Sequence, residues 1–229
     1  ALAVRGDRAE VVAMIYSPER GYLFIHIPKT GGTSLALALE EKAKPGDIMA
    51  GDTPKAQRRR KRLKDLPARG RIWKHSTLAD LDGWLGPDEL ETLFVFTLVR
   101  NPWDRMVSYY HWLREQNFAH QAVELAKAHD FSGFLNHAHT RASISRSPYT
   151  SYVTDAAGRE RCQLYLRLEH LDEDRQALEA QLGLKLRVPH ANRSERPRDW
   201  RAAYSEDDSN LVKKLCATDI QRFDYQFDG

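Results

Sequence analysis

Residues 26–34 read His26-Ile27-Pro28-Lys29-Thr30-Gly31-Gly32-Thr33-Ser34. They follow a short β-branched and aromatic run, residues 22–27, and precede SLALALEEKA, a stretch rich in helix formers. The pattern is strand, glycine turn, helix start. Glycines let the backbone turn tightly and come close to a ligand. Successive amides and the helix N-terminus then point at an anion. Lys29 adds a mobile positive charge, and Thr30, Thr33 and Ser34 add hydroxyl donors. A glycine turn with a surface lysine is common; the full nine-residue string is not.

The string is not a Walker A loop. That pattern, GxxxxGK[ST], puts the lysine directly before the helical Ser or Thr. Here the lysine precedes the glycines. The next apolar strand, residues 93–99 (LFVFTLV), is followed by Arg100 and not by a magnesium-binding carboxylate. The loop suits a nucleotide that needs no metal.

Residues 93–99 are continuously apolar, as expected of a central parallel strand covered on both faces. Pro102 then opens a helix. Trp103, Met106, Val107, Tyr110 and Leu113 share one stripe, its core face. Ser108 sits about 140° from Trp103 around the helix, on the side of Asp104 and His111. Arg100 and Ser108 are therefore expected to look toward the carboxyl edge of the sheet, where Lys29 emerges. Two separate phosphate contacts fit a nucleotide phosphorylated at both the 5′ and 3′ positions. On its own, Arg100 would read as a cap or an ion pair.

Around these segments the chain alternates. Residues 71–74 read as a second short strand and residues 119–139 as helical. Residues 140–161 read as loop. Residues 161–168 read as a strand with Cys162, Leu164, Leu166 and Leu168 on one face. Residues 171–182 form a helix stopped by Gly183, residues 189–200 a polar loop, and Leu211, Val212, Leu215, Cys216 and Phe223 mark one last amphipathic helix. Strand and helix in alternation predict an open α/β sheet, which binds ligands at the carboxyl ends of its strands. Residues 1–13 have no strong pattern and read as an extension; residues 14–229 read as a single domain.

The 229-residue length fits one domain. Its two cysteines, Cys162 and Cys216, have no metal or redox spacing. No apolar run approaches the roughly 20 residues of a membrane helix. The net charge is +3, but residues 55–64, KAQRRRKRLK, hold seven basic groups and no acid. Without them, 28 of the 35 basic residues remain against 32 acidic ones. The basic character is one local block. It lacks interleaved aromatics or a reading motif, which weighs against nucleic-acid binding.

HIPKTGGTS followed by LVRNPWDRMVSYY resembles the 5′-phosphosulfate and 3′-phosphate motifs of sulfotransferases that use 3′-phosphoadenosine-5′-phosphosulfate (PAPS). The chain is most similar to their carbohydrate-type branch, found in bacteria and among Golgi enzymes. The resemblance runs from Tyr22 to about Phe227 and takes in KHSTLADL, LYLRLEHLDED, HANRSE and the closing FDYQF. It implies a P-loop NTPase-like three-layer α/β sandwich with a central, mostly parallel sheet. It implies PAPS as co-substrate, PAP as product, and no metal. Lys29, Thr30, Gly31, Gly32, Thr33 and Ser34 would hold the 5′-phosphosulfate, and Arg100 and Ser108 the 3′-phosphate. Arg193 and Ser194, with Asn192, Arg196 and Arg198, would belong to a late loop over the nucleotide. Arg167, in an Arg-x-Glu pattern with Glu169, would form an internal salt bridge or support the nucleotide pocket.

Lys29 is placed to stabilise the leaving oxygen, and His75, in WKHST, is the expected base. A neutral imidazole, with an ordinary pKa of about 6.5, can accept a hydroxyl proton. His26 reads as structural. His137 and His139 lack a third metal ligand. The acceptor is expected to be a hydroxyl of a carbohydrate or glycoconjugate. The basic block reads equally as a wall attracting an anionic saccharide or as a solvated helix face. The competing classes are a P-loop kinase or NTPase, a nucleic-acid-binding module, and a non-catalytic relative. Unpaired cysteines and the lack of a signal or anchor point to the cytoplasm, against a truncated Golgi ectodomain. Oligomeric state is not legible.

Overall fold

A computed structural model describes residues 13–188 and 199–228. The elements in chain order are β1 (Ala13–Ser17), β2 (Tyr22–Ile25), α1 (Gly32–Glu41), β3 (Ile48–Gly51), α2 (Pro54–Arg59), α3 (Pro87–Thr92) and β4 (Phe94–Val99). Then come α4 (Pro102–Arg114), α5 (Gln121–Ala128), α6 (Phe131–Asn136), α7 (Ala138–Arg146), α8 (Tyr149–Tyr152) and β5 (Cys162–Arg167). The chain closes with α9 (Leu171–Leu182), α10 (Glu206–Leu215) and α11 (Ala217–Phe223). Two compact units result, one drawn from Ala1–Val99 and Thr150–Asn192, the other from Arg100–Tyr149 and Arg193–Gly229.

The first unit carries the sheet, in the order β3-β1-β2-β4-β5. β4 pairs in parallel with β2 and β5, and β1 is antiparallel to both its neighbours. Four strands therefore run one way and β1 runs against them. Adjacent residues feed opposite faces, as a pleated strand requires. Ile15, Phe24 and Phe96 pack with Leu35 and Leu39 of α1 and Leu178 of α9. Met14, Leu23 and Val95 pack with Leu78, Leu81, Leu85 and Leu90 on the other face. This is the expected three-layer arrangement. Ala13, assigned to the extension from sequence, is the first residue of β1 and pairs with Gly51.

Several expectations are corrected. Residues 71–74 are a turn, not a strand: the Ser76 hydroxyl donates to the Arg71 and Trp73 carbonyls and accepts the Trp73 N–H. Cys162 does not share a face with Leu164 and Leu166. The β4–β5 register slips by one residue between Val95 and Phe96, so Val95 pairs with Cys162 and Phe96 with Leu164. Gln163 is the extra residue, and its side-chain amide mends the ladder. Its carbonyl oxygen accepts the Val95 N–H at 2.7 Å, and its NH2 donates to the Leu93 carbonyl at 3.2 Å.

The basic block forms α2 and a 3-10 turn over Arg60–Leu63. Arg59 donates to the carbonyls of Lys44 (2.8 Å) and Asp47 (3.2 Å), and Arg62 to those of Pro45 and Asp47. These carbonyls lie in the turn leading into β3. Because β3 runs in the direction of β2, that turn is at the amino edge of the sheet, opposite the loop that follows β2. Arg59 and Arg62 therefore reach that edge, while the block itself begins past the carboxyl end of β3, three residues after Asp52, the partner of Lys74.

In the second unit, Asn101 caps α4 by accepting the Trp103 N–H, and Pro102 takes the first turn. All five residues of the expected stripe are buried. Residues 140–161 are not one loop: α7 runs to Arg146 and α8 follows it. The last helix is two, α10 and α11, broken at Cys216. Asp219 is buried and accepts the Tyr149 N–H through both carboxylate oxygens, at 3.0 and 3.2 Å. Burial pushes its carboxyl up from 3.8 to about 6, against the pull of that N–H and of Arg105 and Arg222.

The folded chain thus keeps this proton where the unfolded chain has lost it. The stabilisation from Asp219 is full below pH 3.8 and is lost as pH rises to about 6, on the order of 3 kcal/mol. Asp219→Asn keeps an acceptor and removes the charge. Thermal unfolding should show it more stable than the parent at pH 7.5, with a flatter stability profile between pH 4 and 6. A variant less stable at pH 7.5 would contradict this balance.

Candidate active site

The loop after β2 is shaped by its sequence. Thr30 is fully buried, and its hydroxyl donates to the Ile27 carbonyl at 2.9 Å, pinning the turn. Lys29 has φ +66° and Gly31 has φ +82°, both left-handed. Glycine adopts this region freely, whereas lysine does so at a cost of roughly 1–2 kcal/mol. A Cβ on Gly31 would also stand 2.7 Å from Leu168 Cδ1. A Cβ on Gly32 would run into the His26 imidazole. Gly31 is required by its left-handed backbone and Gly32 by the close approach of the His26 ring.

α1 starts at Gly32 with Gly31 as its N-cap. Gly31 brings no side chain to cap it, and its first turn holds no acid. Thr33 and Ser34 sit buried in that first turn. Backbone N–H groups at an uncapped helix start carry partial positive charge and bind anions. The loop therefore fits a phosphosulfate by its donor set: helix-start amides, hydroxyls and one lysine. The Thr30 side chain is turned inward, so its contribution is to shape the turn.

His75 stands against this loop. Its Nδ1 lies 2.9 Å from His26 Nδ1 and 3.2 Å from the His26 carbonyl oxygen. The two rings are 4.8 Å apart at 30°. His26 lies just past the end of β2, is 1% exposed, and is the ring that Gly32 makes room for. It therefore links the phosphate loop to His75, a contact that the reading of His26 as structural did not specify. Trp73 meets His75 edge to face at 5.1 Å and 90°, and is 38% exposed. The Arg71 guanidinium lies over the indole at 5.0 Å. Lys74, beside His75, is paired with Asp52 at 2.7 Å.

The internal salt bridge expected of Arg167 is present. Its guanidinium and backbone N–H bind Asp174, at 2.8–3.0 Å. That pairing holds the Asp174 carboxyl below its ordinary range despite burial, which acts the other way.

In the second unit, Arg100 is 8% exposed and Ser108 4% exposed. Arg100 donates through Nε (2.8 Å) and Nη2 (2.6 Å) to one oxygen of Asp104. Tyr149 donates its hydroxyl to the Arg100 carbonyl. Arg100, Asp104 and Ser108 recur every four residues, so Asp104 orients the guanidinium on the side of α4 that bears Ser108. Arg193 and Ser194, with the rest of residues 189–198, lie outside the described residues. His137 caps α7, its Nδ1 accepting the His139 N–H at 3.2 Å. Among the described residues, no three His, Cys, Asp or Glu side chains are grouped to hold a metal. Nor is any helix there long and apolar enough to cross a membrane.

The model of the sulfotransferase family matches residues 12–226, running through both units. The chain belongs to the sulfotransferase family, and sulfuryl transfer is its chemistry. Among solved structures it is similar to mouse sulfotransferase SULT7A1, a structure complexed with PAP. The identity is 15%, the TM-score 0.50, and the match covers 91% of this chain and 87% of the mouse chain. At that identity the likeness is one of fold. No curated protein sequence matches the chain.

Proposed function

We propose that this sulfotransferase moves a sulfuryl group from PAPS to a hydroxyl of a carbohydrate or glycoconjugate, with His75 as base and Lys29 at the leaving oxygen. The observation that carries the reading is the pairing, within one unit, of a glycine-turned helix start with an imidazole held beside it. The PAP complex of the mouse relative supports the choice of nucleotide.

When bound, PAPS supplies the sulfuryl group, whose bond to the phosphate oxygen breaks as a bond to the acceptor oxygen forms. The loop amides, Thr33 and Ser34 hold the 5′ side. Arg100, oriented by Asp104, and Ser108 hold the 3′-phosphate, and Arg193 and Ser194 are proposed to close over the nucleotide. The Lys29 ammonium neutralises the charge left on the phosphate oxygen. His75 takes the acceptor's proton.

The exposed indole of Trp73, against His75, supports a saccharide acceptor. Arg71 lies over the ring, and the part of the indole left exposed gives apolar surface beside His75 for the C–H groups of a sugar.

Labelled PAPS incubated with a panel of mono- and oligosaccharides tests the proposal. Incorporation into a saccharide hydroxyl is the expected result; labelling of amines alone, or no transfer from PAPS, would sink it. On the accepted sugar, Trp73→Ala should raise the acceptor KM about tenfold and leave the nucleotide Kd unchanged. An unchanged KM would place the acceptor elsewhere.

A further inference from the structure

We propose that His26 is a positioning residue for His75, fixing its tautomer so that Nε2 carries the lone pair that accepts the proton. The inference rests on the reading of His75 as base and deepens it.

The geometry settles where the proton on the His75–His26 contact sits. His75 Nδ1 faces two atoms of one residue, His26 Nδ1 at 2.9 Å and the His26 carbonyl oxygen at 3.2 Å. The carbonyl oxygen can only accept. A proton on His75 Nδ1 therefore serves both contacts at once, with His26 Nδ1 as acceptor. The opposite arrangement, His26 Nδ1–H donating to His75 Nδ1, would set the lone pair of His75 against that carbonyl. The neutral His75 is thus the Nδ1–H tautomer, and its Nε2 is the basic nitrogen. Correspondingly, His26 carries its own proton on Nε2.

The arrangement performs the orienting task that a second hydrogen-bonding group performs for many functional histidines. A carbonyl and a neutral imidazole nitrogen act here together. After proton transfer, His75 is an imidazolium whose Nδ1–H still points at two acceptors, so the charge that forms meets a prepared site. His26 is itself held in place. Its backbone directly follows β2, and its ring lies so close to Gly32 that a Cβ there would run into it. The phosphate loop and the base are thereby registered to each other through one residue.

The test combines a spectroscopic and a kinetic reading on the full chain. Nitrogen-15 chemical shifts of the histidine rings should show His75 protonated at Nδ1 and unprotonated at Nε2 near neutral pH, and His26 the reverse. His26→Leu keeps a side chain of similar reach but removes the Nδ1 acceptor. It should mix the His75 tautomers and lower kcat at least tenfold, with nucleotide Kd and acceptor KM within twofold. His26→Asn, which returns an oxygen near the position of Nδ1, should restore most of kcat and the Nδ1–H signature. His75 protonated at Nε2 in the parent protein overturns the proposal. So does a fall in kcat that leaves the tautomer unchanged or that Asn does not rescue. Full activity in His75→Ala would instead remove the reading of His75 as base, while the ring shifts would still report on the positioning itself.

Discussion

Lys29→Ala is expected to slow sulfuryl transfer about 10²–10³-fold, corresponding to about 3–4 kcal/mol of transition-state stabilisation. The effect should fall on kcat, because charge on the leaving oxygen grows as the sulfur–oxygen bond breaks. Stability should hardly change. Alanine at φ +66° carries much the same left-handed penalty as the lysine it replaces. Lys29→Gly separates strain from function. It relieves that penalty and should raise the melting temperature, while losing as much activity as the alanine variant. The strain at Lys29 is held by its neighbours: the Thr30 hydroxyl on the Ile27 carbonyl before it and the left-handed Gly31 after it. Backbone strain of this kind gathers where a side chain must be aimed. Activity near the parent level in Lys29→Ala would remove the lysine from the chemistry.

The second large effect is expected at His75. His75→Ala should lower kcat about 10²–10⁴-fold, the usual contribution of a general base. Nucleotide affinity should be kept, since the contact of His75 with the loop runs through His26. The acid limb of the pH–rate profile should vanish with the imidazole. Folding should lose only about 1 kcal/mol, the ordinary worth of the hydrogen bonding it gives up. Stopped transfer together with lost nucleotide binding would point to a structural role.

The loop at residues 26–34 was legible because its chemistry is local. Glycine placement, a following helix-forming stretch and a preceding apolar run occur within 20 residues. The central strand was legible for the same kind of reason, as β4 is buried on both faces and reads as unbroken apolar sequence. β3 was missed. Ile-Met-Ala-Gly is four residues long, does not alternate in polarity, and is made a strand by pairing with β1. α7 was missed because it buries only Thr140, so no apolar stripe marks it.

The register shift in β5 shows a different limit. A period-two pattern predicts one face for Cys162, Leu164 and Leu166, but a single extra residue reverses one of them. The one signal was a glutamine inside an apolar strand. Gln163 is there because its amide replaces the backbone at the slip. His75 was picked by its neighbours in sequence, yet the strand expected before it is a turn built by the Ser76 hydroxyl. The partnership of His75 with His26 spans 49 residues, a separation no local pattern reports. The basic block was visible as charge, but the reach of Arg59 and Arg62 to the amino edge depends on the direction of β3.

The central claim is that the chain binds a nucleotide phosphorylated at both ends of its ribose. Calorimetric titration of the intact chain with adenosine 3′,5′-bisphosphate and with ADP, both in a metal chelator, tests it most directly. The bisphosphate should bind at least about tenfold tighter, and Arg100→Ala should erase most of that preference. Equal binding of the two nucleotides, or ADP binding that requires magnesium, would contradict the account.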